Sequence, residues 1–327
     1  MSINVPPPLP QDPTRTLVNP SAEAVEVLHS GPPAIAPGMD TAPPPRSMFR
    51  RGLEVFTENR LALIGLGLLV VIFLFAFVAP IFYHTNQVNT NLLGAYAHPG
   101  SPGHPLGTDN AGYDELGRLM QGTQISLELG LASAVVATVI GTLWGAVAGY
   151  VGGWIDAIMM RVVDAALAIP LLFLLIVLAT IIHPTKITMI LIISMASWLG
   201  ISRLVRGEAL SLRVREYVQA VRVMGGGGTR IVLRHIAPNA VGTIIVNATF
   251  QVADAILFIA AISFLGLGLT PPAVDLGGML STGVQFADDG YWWLIYPAGA
   301  MIVLIVIAVN FVGDALRDAF EVRLQRR

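Results

Sequence analysis

From Leu61 to Thr108 the sequence runs without a single Asp, Glu, Lys or Arg, and the first half of that run is almost wholly apolar. About 20 apolar residues cross a ~30 Å hydrocarbon core, and a helix is the one open-ended form that satisfies its own backbone groups there. The pattern then recurs. Residues 61–83 read as a first span and 125–150 as a second; 165–182 is a third with Pro170 inside it, and 187–202 a short fourth reaching toward Val205. A fifth runs over 240–264, and a sixth over 294–313 follows the cluster Tyr291, Trp292 and Trp293, which suits a membrane interface. The expected fold is all-α and polytopic, with six transmembrane helices. Only 12% of the residues are charged, against ~25% in soluble proteins, which argues against a cytosolic enzyme.

Charge also orients the chain. Of 19 basic residues, 18 are Arg and one is Lys186. With the N-terminus inside, only Arg118 and Lys186 fall in outside loops, as the positive-inside rule asks. The expected topology is N-in, C-in. Twelve of the 22 prolines lie within residues 1–45, which read as a disordered, proline-rich cytoplasmic tail and not as a signal peptide. Residues 46–124 are expected to carry the first span and an extracytoplasmic segment, 125–320 a five-helix core, and 321–327 a cytoplasmic tail. The chain has no cysteine, so disulfides and thiolate chemistry are excluded.

The longest inside loop, 206–239, carries a short amphipathic pattern. Tyr217, Ala220, Val221 and Met224 recur at helical spacing, Glu216, Gln219 and Arg222 mark a polar face, and Gly225–Gly228 stop the helix. One reading is a knob that docks another protein; the other is a helix lying on the membrane, its arginines on anionic headgroups.

This loop resembles the EAA loop of permease subunits of binding-protein-dependent ABC importers, with Gln219, Ala220, Val221, Gly225 and Pro238 at the matching places. Gln219 stands where Glu is usual, Val221 for an Ala and Ala237 for a Leu. Further segments resemble the C-type permease of dipeptide, oligopeptide and nickel importers: HPLGTDNAGYDELGRLMQGTQISL from His104, RVVDAALAIPLLFLL from Arg161, SFLGLGLTPP from Ser263 and NFVGDALRDAFEVRL from Asn310. Tyr113 and Gln124 replace usual arginines, and Ile259 a usual Glu. The resemblance implies a MetI-like permease core in a bacterial plasma (inner) membrane. It implies as partners a second homologous permease, two ATP-binding cassette subunits and an extracytoplasmic solute-binding protein, with the lipid bilayer around them and no nucleic acid. It also implies coupling to the ATPases through Glu216, Tyr217, Gln219, Ala220, Val221, Met224, Gly225 and Pro238.

The chain itself has no ATP site. A P-loop needs Lys followed by Ser or Thr after a glycine-rich turn, and the lone Lys186 precedes Ile187. No enzyme activity and no cofactor are expected in this chain; ATP and Mg²⁺ belong to partner subunits. His84, His98, His104 and His183 match no metal spacing, and no metal is expected.

Inside the fifth span, Thr243, Asn247, Gln251 and Asp254 fall on one helical face. Asn247, Gln251 and Asp254 are candidates for the translocation pathway, with interhelical hydrogen bonding as the alternative. Pro170 suggests a hinge or a static kink, and Asp164 a partner in Arg161 or another arginine. Ser194, Ser197 and Ser202 read as packing residues, as does the row Gly141, Gly145 and Gly149, which permits close helix approach. Asp288 and Asp289 either meet a binding protein or keep their loop solvated. Two other classes stay open: a secondary transporter or channel working without ATPases, and a scaffold for a cytosolic complex.

Overall fold

A computed structural model describes residues 56–85 and 87–324, with side chains to Phe320. The expected disordered tail over 1–45, residues 46–55, residue 86 and residues 325–327 lie outside the described residues. Nine principal helices follow: α1 (Arg60–Phe82), α2 (Glu115–Val151), α3 (Gly153–Leu167), α4 (Leu171–Ile181), α5 (Lys186–Leu212), α6 (Glu216–Val223), α7 (Val241–Ile262), α8 (Leu276–Val284) and α9 (Tyr296–Leu324). Five segments are long and apolar enough to cross a membrane by themselves: α1, α2, α5, α9, and α7 with the π turn Ser263–Leu267 that continues it.

The sixth crossing differs from expectation. The segment 165–182 is not one helix with an internal proline; α3 and α4 meet at a bend of 82°. Pro170 caps α4 from outside the helix, and its carbonyl accepts from Leu174 N at 3.1 Å. The pyrrolidine ring disfavours a helical Ile169, so the chain breaks before the ring rather than kinking around it. At ~1.5 Å per residue, α4 with 11 residues covers only about half of the hydrocarbon core.

Other spans outrun their apolar cores. α5 continues to Leu212, ten residues past the expected end, so residues 206–212 of the expected loop are helix. Arg203 and Arg206, which look like the exit from the membrane, are instead paired sideways onto α3. α2 begins at Glu115, ten residues early, because Asp114 caps it by accepting from Gly117 N at 2.7 Å. Proline shapes α1 and the loop after α6 in the same way. π turns over Leu74–Val78 and Val232–Ile236 end two residues before Pro80 and Pro238, where a widened turn relieves the clash of the ring with the preceding turn.

α2 and α5 share the most extensive contact in the bundle, and α9 packs on α1 and α7. The glycine row explains the first pairing. A Cβ at Gly141 would lie 2.7 Å from Trp198 O and one at Gly149 2.7 Å from Arg206 O, while one at Gly145 would collide with Ser202 O. Packing was the expected role of this row, and the helix backbones meet along it. Ser194 Oγ adds a bond across the seam, donating to Ser133 O at 3.1 Å, while Ser202 Oγ donates within its own helix to Leu199 O.

Four apolar clusters hold the elements together. Leu119, Ile256, Leu276 and Ile305 join α2, α7, α8 and α9; Leu129, Leu175, Met189 and Ile259 join α2, α4, α5 and α7. A third, with Ala146, Val205, Val218 and Ile236, ties α6 to the bundle, and Val163 with Trp198 ties α3 to α5. Ile259 is fully buried in the second cluster, where an unpaired Glu would be costly; the apolar residue suits this core.

Candidate functional site

At the end of the bundle where α2 finishes and α5 carries its arginines, α6 stands as a separate short helix. Val218 is 0% exposed and packs with Val205, Ile231 and Ile236. Gly225, at φ +80°, turns the chain back after α6, a conformation that glycine adopts without strain. The turns over 228–239 then fold beneath it, with Pro238 on the surface.

The expected apolar face of α6 is corrected by the structure. Val218, not Tyr217, Ala220 or Met224, is its anchor, and Val221 is half-buried beside it. Tyr217 and Ala220 are exposed, Met224 is 78% and Val223 87% exposed, and Glu216 stands on the surface with them. A helix of eight residues cannot direct two apolar faces into one core. Here the 228–239 turns fill one side and the other is left uncovered. Gln219, at the position of a usual Glu, donates from Nε2 to Arg213 O at 3.2 Å and so closes the entry to the helix.

Three arginines of α5 and its C-terminal cap tie α3 and the end of α2 to the helix from which the α6 loop departs. Arg206 grips Asp156 at the start of α3, with Nη2 2.7 Å from Oδ2, and Arg203 pairs with Asp164. Arg213 Nη1 donates to Gly149 O at 3.1 Å, beside the sharp turn at Gly152, φ +69°. Arg222 lies 5.6 Å from the centre of the Tyr150 ring. α3, α5 and the end of α2 are thus linked to the loop that carries α6 by charge as well as by apolar packing.

The polar stripe on α7 divides. Thr243 Oγ1 donates to Glu208 Oε1 on α5 at 3.0 Å, which is interhelical bonding. Asn247 Nδ2 returns to Thr243 O at 2.9 Å, within its own helix. Gln251 is half-buried, and Asp254 is exposed with no hydrogen bond or ion pair to its carboxylate among the described residues. The three candidates do lie along one side of α7, with Asp254 the open member.

At the opposite end, residues 83–85 and 87–118 form a cap that sequence patterns did not announce. Asp114 is its hub: Oδ2 accepts from Tyr83 OH at 3.1 Å and lies 2.9 Å from His104 Nδ1, and Oδ1 caps α2. His104 thus has a carboxylate partner. Burial first, then the Asp114 charge and hydrogen bond, push the Tyr83 hydroxyl up to about 12. Tyr113 OH donates to Val88 O, and its ring lies 4.8 Å from the Arg118 guanidinium. Trp293 Nε1 donates to Thr108 O at 3.2 Å, which fastens the start of α9 under the cap.

Residues 141–326 match the family described as binding-protein-dependent transport system inner membrane component. The chain belongs to this family. Residues 47–99 match the N-terminal transmembrane domain of oligopeptide transport permease C. The chain is 38% identical over 280 residues to the oligopeptide transport system permease protein OppC of Bacillus subtilis, covering 86% of this chain and 91% of that one. It is 40% identical over 277 residues to OppC of Escherichia coli and 41% to that of Salmonella typhimurium, each time covering 84% of this chain and 91% of the relative.

The protein is thus a multi-pass inner-membrane permease, a transport subunit of a binding-protein-dependent system. Two structural features of the permease escaped sequence reasoning. One is the cap hub at Asp114, whose only local signal is its place one residue before Glu115 at the start of α2. The other is Asp275, which caps α8 by accepting from Gly277 N and Gly278 N at 3.0 Å and from Ser263 Oγ at 2.9 Å. Burial raises the Asp275 carboxyl above its ordinary range, while those donors pull the other way. The sequence Asp-Leu-Gly-Gly was the available signal, since Asp is a favoured N-cap.

Proposed function

We propose that this permease forms one half of a translocation path for di- or oligopeptides and is driven by ATPase subunits that seat α6. In this reading the arginine-braced end is cytoplasmic, the N- and C-termini are inside, and the cap faces the solute-binding protein. A second, homologous permease completes the path on the Asp254 side of α7. ATP and Mg²⁺ are held by the two cassette subunits and by no residue of this chain. The peptide cargo follows from the names of the relatives, which are oligopeptide permeases.

The observation that carries the reading is the pairing of buried Val218 with exposed Val223 on one eight-residue helix, whose C-cap Met224 is exposed as well. One side fixes α6 to the spans and the other offers apolar surface to a partner, the arrangement a lever needs. Closure of the ATPases would then move α6, and the Arg213, Arg206 and Arg203 links would carry that displacement into α2 and α3. Such coupling works only through contacts that differ between two states.

Purified permease, its pair, the ATPases and the binding protein in proteoliposomes give the test. ATP hydrolysis stimulated by peptide-loaded binding protein, and dependent on every subunit, is the expected result. Gradient-driven peptide flux by this chain alone would overturn the reading in favour of a secondary transporter.

A further inference from the structure

Asp254 is the central residue of the 27-residue crossing Val241–Leu267. Its side is exposed in this chain, and an ionisable group at that depth faces protein or a water-filled path and not lipid tails. The helices packed against α7 offer it no cation at that depth. Arg118 on α2 and Lys186 on α5 stand at the cap end and pair with Asp109 and Glu128. Arg203 and Arg206 stand at the other end of α5 and pair with Asp164 and Asp156. α9 carries its arginines in its last turns, beyond Asp314, and α4 and α8 carry none.

Further along the same side of α7 stands another carboxylate. Glu208 is held beside the stripe by Thr243, and it has no ion pair among the described residues. The open face therefore presents carboxylates at mid-depth and near the arginine-braced end, with amides at Asn247 and Gln251 between. In the other direction the same face turns apolar at Leu257, which is exposed. An unpaired acid in a medium of low dielectric attracts a cation and repels an anion far more strongly than it would in water.

We propose that Asp254 receives the cationic amino terminus of the peptide at the middle of the membrane, with Glu208 the next acid along the path. This inference rests on the importer reading above and deepens it: the path selects cargo carrying a free ammonium and disfavours the same cargo with its amine blocked. The selection is made in the permease, after release from the binding protein.

The test uses the complete reconstituted importer and a matched pair of probes, trialanine and N-acetyl-trialanine. ATP-driven uptake of each is measured with wild type, Asp254→Asn, Asp254→Glu and Gln251→Arg. The same binding protein serves every assembly, so its own preference cancels when uptake ratios are compared between variants. Asp254→Asn is expected to lower the ratio of free to acetylated peptide on the order of tenfold, the worth of one charge-assisted hydrogen bond. Asp254→Glu keeps the ratio. Gln251→Arg, which places a cation one turn away, lowers it as Asp254→Asn does, and it carries the test if Asp254→Asn fails to copurify with its partners. An unchanged ratio in the assembled variants, whether total uptake holds or falls equally for both probes, overturns the inference and leaves the importer reading standing. Absence of ATP-driven peptide uptake by the wild-type assembly overturns both.

Discussion

Arg206 holds Asp156 with two donors, Nε to one carboxylate oxygen and Nη2 to the other, across the junction where α5 crosses the start of α3. The Asp156 side chain is 12% exposed and that of Arg206 35%, so the pair is only partly open to water. Its geometry is the planar fork that guanidinium and carboxylate share. The pair fastens α3 just beyond the Gly152 turn, next to the loop that carries α6.

Arg206→Ala is expected to cost about 1–2 kcal/mol of stability, between the worth of a surface pair and that of a buried one. Because the pair lies on the route from α6 to α3, ATP hydrolysis in the assembled importer should persist while peptide uptake per ATP falls. Thermal unfolding in detergent and the ratio of uptake to hydrolysis measure the two effects. Arg206→Lys, which loses the fork, should fall between.

Substitutions on the two sides of α6 should separate folding from docking. Val218→Asp buries a charge in an apolar cluster and is expected to abolish stable permease, at a cost of several kcal/mol. Val223→Asp changes an exposed side chain and should leave thermal stability within about 0.5 kcal/mol. The same variant should lose copurifying ATPase. Retained association in Val223→Asp would remove the partner contact from that face.

The glycine seam gives a contrast within one helix pair. Gly145→Ala drives a methyl into the Ser202 carbonyl and is expected to destabilise by about 1–3 kcal/mol, outweighing the gain in helix propensity. Gly200→Ala meets nothing within 4 Å and should be neutral or stabilising by up to about 1 kcal/mol. Parallel thermal melts of the two variants decide it.

Asp275 predicts a pH effect. Burial holds its folded-state pKa above the ordinary value near 3.8, so the folded state keeps the proton longer than the unfolded chain does. Stability from this group is therefore full below the ordinary value and declines as pH rises through the folded one. Asp275→Asn cannot ionise and escapes that decline. Relative to wild type, the variant should gain in melting temperature as pH rises above the ordinary value near 3.8. A difference that is constant with pH would refute it.

Much of the fold can be read along the chain because hydrocarbon selects for long apolar runs and charges stand where they end. That logic failed at α5, where Arg203 and Arg206 imitate a membrane exit. They are tolerated inside a longer helix because Asp164 and Asp156, 39 and 50 residues away, neutralise them. It failed again at Pro170, where the local pattern suited a kinked span but could not say that α3 would leave at 82°. The 206–239 loop was legible as an amphipathic helix with a glycine stop. Which of its apolar residues faces inward was not, because the turns over 228–239 that cover Val218 arrive after the helix in sequence.

The one-dimensional sequence by itself determined that the chain crosses a membrane, where its apolar crossings lie, that it carries no P-loop, and that residues 206–239 hold a short helix ending at Gly225. These depend on transfer energies and local backbone preferences, which each segment carries with it. Only the tertiary structure decided which acids are neutralised and which is left open. Asp156 and Asp164 meet arginines from a distant helix, whereas the helices packed on Asp254 bring no cation to its depth. A charge's meaning depends on what stands within a few ångströms, and that is set by helix packing.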